Sequence, residues 1–133
     1  MLPRESPFSP LGLDRIIIEN RSAVAFLDGY PIAKGHTLVA PKQIVKRLDA
    51  LPPRLEAKLW EMVRQVRALL IKRYHPDAFT IGVNDGLAAG QTIAHAHIHI
   101  VPRYENDVAD PRGGIRWVIP KKANYWKNHS GKA

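Results

Sequence analysis

GQTIAHAHIHIVP, residues 90–102, places histidines at every second position, as His95, His97 and His99. Apolar residues occupy the positions between them. A period of two is typical of a β-strand, in which side chains at i, i+2 and i+4 share one face of the sheet. We therefore predict a strand here, with its three imidazoles pointing one way and its apolar residues pointing into a core.

Two kinds of chemistry could use three imidazoles on one strand. A single zinc ion fits poorly, because same-face residues lie about 6.6 Å apart and zinc bonds are about 2.1 Å long. His95 and His99 would then be roughly 13 Å apart. The sequence has no cysteine and no HExxH motif. These points favour nucleophilic catalysis by a neutral imidazole over a metal site, which stays open as an alternative.

Polar residues just upstream of the histidines fit the catalytic interpretation. Gln91 and Thr92 follow Gly90 and supply an amide and a hydroxyl. Both groups are suited to contacting the anionic oxygens of a phosphate. We therefore include Gln91 and Thr92 in the predicted nucleotide-binding site.

HAHIHIV, residues 95–101, resembles the signature of the histidine-triad (HIT) superfamily, His-φ-His-φ-His-φ-φ with φ apolar. The resemblance extends over about residues 14–126. Members of this superfamily are nucleotide hydrolases and transferases that attack an α-phosphate with the middle histidine. The resemblance therefore implies that His97 is the nucleophile and that a nucleotidyl-histidine intermediate forms.

The same resemblance assigns supporting histidines. His36, within KGHTLV, resembles the family's fourth histidine, which packs beside the triad. His95 and His36 would support the ring of His97 and its tautomer, with a backbone carbonyl taking the other N–H. His99 would hold the non-bridging phosphate oxygens.

Three further residues are predicted to contact the nucleotide. In the family, the residue equivalent to Asp28 holds the ribose hydroxyls, and the one equivalent to Asn84 contacts the nucleotide. Asp28 directly precedes Gly29 and Asn84 precedes Asp85-Gly86, and turn geometry explains both residues about equally well. Phe26 could line an apolar slot for a base, and packing in the core is the equal alternative.

Composition limits the classes of protein and partner. A chain of 133 residues with a net charge of +8 is expected to form one domain and to bind anions. Since the basic residues are mostly scattered, we expect a phosphate-bearing small molecule rather than a nucleic acid. No apolar run reaches the roughly 18 residues of a membrane span, and no signal peptide is visible. We expect no membrane partner and a cytoplasmic location.

The residue patterns along the chain predict an α+β fold with a mostly antiparallel sheet of about five strands and one long helix on one face. The family resemblance implies that this fold is HIT-like. The predicted strands cover residues 15–19, 23–27, 37–40, 79–83 and the histidine stretch, and the predicted helix covers residues 51–74. We divide the chain into an irregular N-terminal arm (residues 1–13), a catalytic domain (14–126) and a basic tail (127–133).

The C-terminal segment extends the family resemblance. GGIRWVIP, residues 113–120, with Tyr125 and Trp126, resembles a bacterial HIT branch described as dinucleoside polyphosphate hydrolase-like. Arg116 and Trp117 could reach the active site of the same subunit or of a partner.

The resemblance favours hydrolysis of a dinucleoside polyphosphate by a homodimer. Two alternatives remain open: a purine nucleoside phosphoramidase of the same superfamily, and a nucleotide-binding or zinc-binding module without turnover. No cofactor is required under the favoured hypothesis. A magnesium ion, where one is used, would arrive with the polyphosphate.

Overall fold

The computed structural model describes residues 1–128. It consists of one five-stranded sheet, in the order β1-β2-β3-β5-β4 with all neighbours antiparallel, and one long helix. The strands are β1 (Ile16–Glu19), β2 (Ala23–Leu27), β3 (Thr37–Pro41), β4 (Ala78–Gly82) and β5 (Ile98–Arg103), and the helices are α1 (Pro53–Tyr74) and the short α2 (Pro120–Ala123). The predicted α+β architecture is confirmed. Most of the predicted basic tail lies outside the described residues.

Helix α1 packs one apolar stripe against the sheet. Its buried residues recur every three or four positions, the spacing that places side chains on one helical face: Leu59, Met62, Val63, Val66 and Leu70. They join side chains of β2, β3 and β5 in one core. His75 ends the helix in a left-handed conformation before Pro76, because a residue preceding proline is disfavoured in the helical region. None of the helices described within residues 1–128 has the length and apolarity to span a bilayer.

The N-terminal arm covers the other face of the sheet. Leu2 and Leu11 are buried there against a cluster formed by Val24, Phe26, Leu38 and Ala40. Successive strand residues point to opposite faces, so β2 and β3 are buried on both sides. Residues 1–13, set apart from the catalytic domain in the sequence analysis, therefore contribute to the core.

The histidine stretch is only partly a strand. Strand β5 begins at Ile98, so His99 lies within it while His95 and His97 precede it. The backbone before Ile98 has other partners: the Ala96 N–H donates to the carbonyl of Val45, and the His95 carbonyl accepts a bond from the ring of His97. The prediction that all three histidines share one strand is wrong for this reason.

A glycine next to His36 is sterically constrained. Gly35 has φ of 89°, and an added Cβ would lie 2.8 Å from Cδ2 of Tyr74. Gly35→Ala is therefore expected to lower the free energy of unfolding by about 2–4 kcal/mol, from left-handed strain plus steric overlap. Gly90→Ala is the matched control, since Gly90 has φ of 90° with nothing within 4 Å of the added Cβ. It should cost only about 1–2 kcal/mol in urea unfolding, and equal losses would contradict the steric argument.

Candidate active site

Six of the nine predicted site residues line a cavity of about 460 Å³, a volume typical of small-molecule sites. The cavity lies where the N-terminal arm, the turn after β2, the loop after β4 and the histidine stretch meet. It is lined by Pro7, Phe8, Arg15, Asp28, Gly29, Tyr30, Leu38, Asn84, Gln91, Thr92, Ile93, His97 and His99. The structure thus brings together residues that are far apart in sequence.

The tautomer of His97 follows from its hydrogen bonding. Nδ1 of His97 lies 2.8 Å from the backbone carbonyl oxygen of His95. A carbonyl only accepts hydrogen bonds, so Nδ1 carries the proton. In the neutral ring, Nε2 then has a free lone pair. A lone pair on a residue that lines the cavity is the property required of a nucleophile.

His95 is buried beneath the cavity and does not line it. Its Nε2 donates to the backbone carbonyl of Pro41 at 2.8 Å, and its Nδ1 lies 2.6 Å from Oγ of Ser6. Burial lowers the pKa of His95, an effect that the bond to Pro41 opposes and the nearby His97 reinforces. A neutral His95 therefore holds a fixed ring orientation and supports His97 through its backbone carbonyl.

His36 contacts the ring of His99 rather than that of His97. The backbone N–H of Ile32 donates to Nδ1 of His36, so the proton of a neutral His36 is on Nε2. That nitrogen lies 3.0 Å from Nδ1 of His99 and 3.4 Å from Oδ2 of Asp28. His99 therefore accepts through Nδ1 and carries its own proton on Nε2.

Burial keeps His99 neutral. It lowers the pKa of His99 to about 4, with further lowering from nearby His97 and His36 and partial compensation by the Asp28 carboxylate. Burial also lowers the pKa of His36, against the opposing effect of Asp28. At neutral pH, His99 is therefore a neutral ring whose Nε2–H can donate a hydrogen bond.

Asp28, His36 and His99 could also hold a cation, since one ligand atom from each lies within 4.8 Å of the others. Binding a metal ion there would break an existing hydrogen bond. The imidazole nitrogens of His36 and His99 share one hydrogen bond, and a metal ion would have to displace its proton.

The predicted nucleotide contacts differ in their surroundings. Asn84 and Thr92 are exposed at the cavity wall, and Asp28 lines it while Oδ1 accepts the Tyr30 backbone N–H. The Gln91 side chain, by contrast, already bonds protein groups. Its Oε1 accepts from the Gly86 N–H, and its Nε2 donates to the carbonyls of Lys46 and Ile93. The amide of Gln91 therefore fixes the loop, which leaves it no free N–H for phosphate.

Phe26 does not face the cavity. Its side chain is fully buried, and its ring packs edge-on against Phe8 with centroids 5.1 Å apart. Core packing, the alternative considered for Phe26, describes its position. Phe8 takes the place at the cavity wall that Phe26 was expected to occupy.

Sequence reasoning missed several residues of the site. Pro7 and Phe8 belong to a proline-rich arm without periodicity, and periodicity was the signal used to find structured segments. Arg15 begins a β-branched run, but its side chain lines the cavity and donates to the Leu27 carbonyl. It is the one cationic side chain that lines the cavity within residues 1–128. In a sequence with 20 lysines and arginines, a single basic residue beside a strand does not stand out as part of a binding site.

Arg116 and Trp117 bond within their own segment. Arg116 donates to the backbone carbonyls of Ala123 and Lys122, and the Trp117 indole donates to that of Arg112. Neither lines the cavity of this chain. The expectation that they reach the active site of the same subunit is therefore wrong, while the partner-subunit alternative stays a prediction.

Comparison with known proteins places the chain in a family. The HIT domain matches residues 13–106. An asymmetrical bis(5'-nucleosyl)-tetraphosphatase of Schizosaccharomyces pombe is 36% identical over 111 residues, which are 82% of this chain and 60% of that protein. An adenylylsulfatase of Arabidopsis thaliana is 37% identical over 91 residues, 68% of this chain and 46% of that protein. The chain thus spans about half the length of these relatives.

A solved structure shares the fold over most of both chains. A Hit-like protein from Bartonella henselae superposes with a TM-score of 0.71, at 27% identity, over 83% of this chain and 84% of that one. The family match covers more than half of the sequence, including the histidine stretch and the four histidines described above. On these grounds the chain belongs to the HIT family.

Proposed function

We propose that the chain is a nucleotide hydrolase that attacks the α-phosphorus of a dinucleoside polyphosphate through His97. The observation that carries this proposal is the bond from Nδ1 of His97 to the His95 carbonyl, which puts the proton of the neutral ring on Nδ1 and the lone pair on Nε2, in a residue of the cavity wall. A neutral imidazole is a better nucleophile toward an anionic phosphate than a carboxylate, because the phosphate repels the negative charge of a carboxylate.

The reaction has two steps. Nε2 of His97 forms a bond to the α-phosphorus while the bond to the bridging oxygen breaks, and the leaving nucleotide carries away that electron pair. Water then attacks the same phosphorus, the P–N bond breaks, and a nucleoside monophosphate is released. The water gives up one proton, and His97 returns to its neutral form.

Three groups at the cavity wall support charge stabilisation. The Nε2–H of neutral His99 is a donor for a non-bridging oxygen, and the Arg15 guanidinium adds a positive charge. Thr92 adds an exposed hydroxyl to the same wall. The structure contains Asp28 as an anionic group at the cavity, and ribose hydroxyls are suitable donors to it.

The proposal also specifies the leaving group of the reaction. The fungal relative is a dinucleoside tetraphosphatase and the plant relative is an adenylylsulfatase, so relatives of this chain differ in the group they release. The C-terminal resemblance favours a nucleotide as leaving group. No cofactor is needed for the two steps, and a divalent ion would enter with the polyphosphate.

An isotope experiment tests the site of attack. Diadenosine tetraphosphate, an adenosine phosphoramidate and adenylyl sulfate are offered in H₂¹⁸O, with and without chelator, and the products are analysed by mass spectrometry. We expect the tetraphosphate to be the fastest substrate, with one ¹⁸O in AMP and none in ATP. Label in ATP would place attack elsewhere along the chain of phosphates, and a faster phosphoramidate would select the alternative substrate class. No turnover of any substrate would favour a binding module.

The role proposed for Asp28 is tested by the preference of the enzyme for ribonucleotide over deoxyribonucleotide substrates. Asp28→Asn keeps the side-chain size and removes the negative charge. A negatively charged acceptor makes stronger hydrogen bonds with hydroxyl groups than a neutral amide does. The wild type is expected to prefer ribonucleotide over deoxyribonucleotide substrates by about tenfold in kcat/KM, and the variant by much less. An unchanged preference in Asp28→Asn would assign ribose binding to other groups.

The family resemblance also implies a homodimer. Strand β4 lies at one edge of the sheet, and such edges are available for pairing between subunits. Light scattering on the purified protein at several concentrations would measure the mass. A monomer at all concentrations would remove the partner subunit from any account of the site.

A further inference from the structure

The N-terminal arm makes a buried polar contact with the histidine triad. Ser6 is 3% exposed, and its Oγ lies 2.6 Å from Nδ1 of His95, a residue 89 positions away in the sequence. Among side chains of residues 1–128, Ser6 is the hydrogen-bond partner of this nitrogen. A buried contact this short joins the arm to the site chemically as well as sterically.

The direction of this hydrogen bond follows from its neighbours. Nε2 of His95 faces the carbonyl of Pro41 and must carry the proton of the neutral ring. Nδ1 then has only a lone pair, so the Ser6 hydroxyl donates to it. The Ser6 oxygen in turn accepts the backbone N–H of Phe8 at 3.1 Å. The hydroxyl thus has both a donor and an acceptor partner, which fixes its orientation.

We propose that Ser6 is a positioning residue of the active site, which holds His95 in the tautomer that keeps His97 ready for attack. This inference rests on the proposed function of His97. His95 is held at both ring nitrogens, by Ser6 on one side and by Pro41 on the other. Its backbone carbonyl is the acceptor for Nδ1 of His97, so the position of that carbonyl sets the orientation of the nucleophilic ring.

Phe8 adds a second contact between the arm and the triad. Its ring lies 5.2 Å from that of His97, edge-on with an interplanar angle of 88°, and 5.5 Å from that of His95. These ring contacts restrict rotation of the two imidazoles, and Phe8 also forms part of the cavity wall. Leu2 and Leu11 anchor the arm on either side of these residues. The arm therefore presents Ser6 and Phe8 from a packed segment.

Two serines of the arm allow a matched comparison. Ser6→Ala removes the donor to His95, and Ser9→Ala removes a bond of 2.8 Å from Ser9 to the carbonyl of Pro3, within the arm itself. Each variant loses one hydroxyl, and the two sites are three positions apart in the arm. Only Ser6→Ala loses a contact with the triad. We expect Ser6→Ala to lower kcat by about fivefold to tenfold with little change in KM, and Ser9→Ala to leave both near wild type.

Nuclear magnetic resonance supplies a readout that general loosening would not move. Long-range ¹H–¹⁵N spectra of histidine-labelled protein report which ring nitrogen is protonated. We expect His95 in the wild type to be protonated at Nε2 alone near neutral pH. Ser6→Ala should shift the Nδ1 resonance of His95, because its lone pair loses the donor, while Ser9→Ala should not.

The outcomes separate this proposal from the function on which it rests. Equal falls in kcat for both serine variants would assign the effect to the arm as a whole and overturn the role of Ser6. Unchanged kcat and unchanged His95 resonances in Ser6→Ala would overturn it directly. If the wild type hydrolyses none of the substrates, the proposed function fails, and a spectrum unaffected by Ser6→Ala would then overturn the Ser6–His95 link independently.

Discussion

Replacing His97 with alanine is expected to lower kcat for diadenosine tetraphosphate by at least about a thousandfold. The variant would lose the Nε2 lone pair that forms the P–N bond, and His99 cannot replace it. Nδ1 of His99 is engaged with His36, and its Nε2 is protonated. KM should change less than kcat, because the cavity wall formed by the arm and the loops remains. Steady-state kinetics on the purified variant would measure both constants.

Two further experiments assign the loss to nucleophilicity. His97→Gly leaves space for an added imidazole, which is expected to restore part of the activity with release of an imidazole–nucleotide adduct. In the wild type, rapid acid-free denaturation during turnover of α-³²P-labelled substrate should trap label on the protein, stable in base and labile in acid. His75→Ala, at the exposed end of helix α1, is the control and should retain wild-type kinetics. Wild-type activity in His97→Ala would refute the assignment.

The free energy of unfolding is expected to fall as the pH drops from about 6.5 to about 4. Burial lowers the pKa of His99 from 6.5 to about 4, so between these values the unfolded chain binds a proton that the folded chain does not. Above pH 6.5 the His99 ring is neutral in both the folded and the unfolded state, so it adds nothing to the pH dependence of the free energy of unfolding. The loss from His99 alone is roughly 2–3 kcal/mol, allowing for solvent at its partly exposed ring. His36 and His95, whose pKa values are also lowered, add to it.

Urea unfolding at pH 7.5, 6.5, 5.5 and 4.5 would measure this dependence. His99→Asn should flatten the curve over this range, whatever its effect at pH 7.5. His75→Asn is the matched control, because it removes an exposed histidine from a left-handed position that asparagine tolerates. A curve that is unchanged in His99→Asn would mean that the ring of His99 is freely protonated in the folded state.

Residue patterns made the sheet and helix predictable, and the period of two misled where other contacts take over. Strand β2 is a continuous apolar run and helix α1 has apolar residues at three-to-four-residue spacing, so propensity and packing agree there. His95 and His97 also alternate, but a loop carbonyl and an imidazole take the backbone bonds that a neighbouring strand would make. Local pattern cannot reveal such long-range competition.

The candidate site was predictable where chemistry is concentrated in a motif. Sequence reasoning nominated His36, His97 and His99 together, and all three lie at or beside the cavity. It had no means of finding Ser6, whose partner lies 89 positions away. A serine in a proline-rich segment gives no periodic signal, and contacts across such a distance depend on how the whole sheet folds.

The arm makes no strand pairing with the sheet whose face it covers, so its attachment depends on a few apolar side chains, the Ser6–His95 bond and the exposed ion pair of the Met1 amino group with Glu19. Segments held in this way open at lower free energy than hydrogen-bonded sheets. Opening would uncover one wall of the cavity and release His95 while the five strands stayed paired. Catalytic failure should therefore precede melting: in a urea titration, turnover is expected to vanish while far-ultraviolet circular dichroism is still that of the folded protein. Loss of both signals together would mean that the arm and the sheet unfold as one cooperative unit.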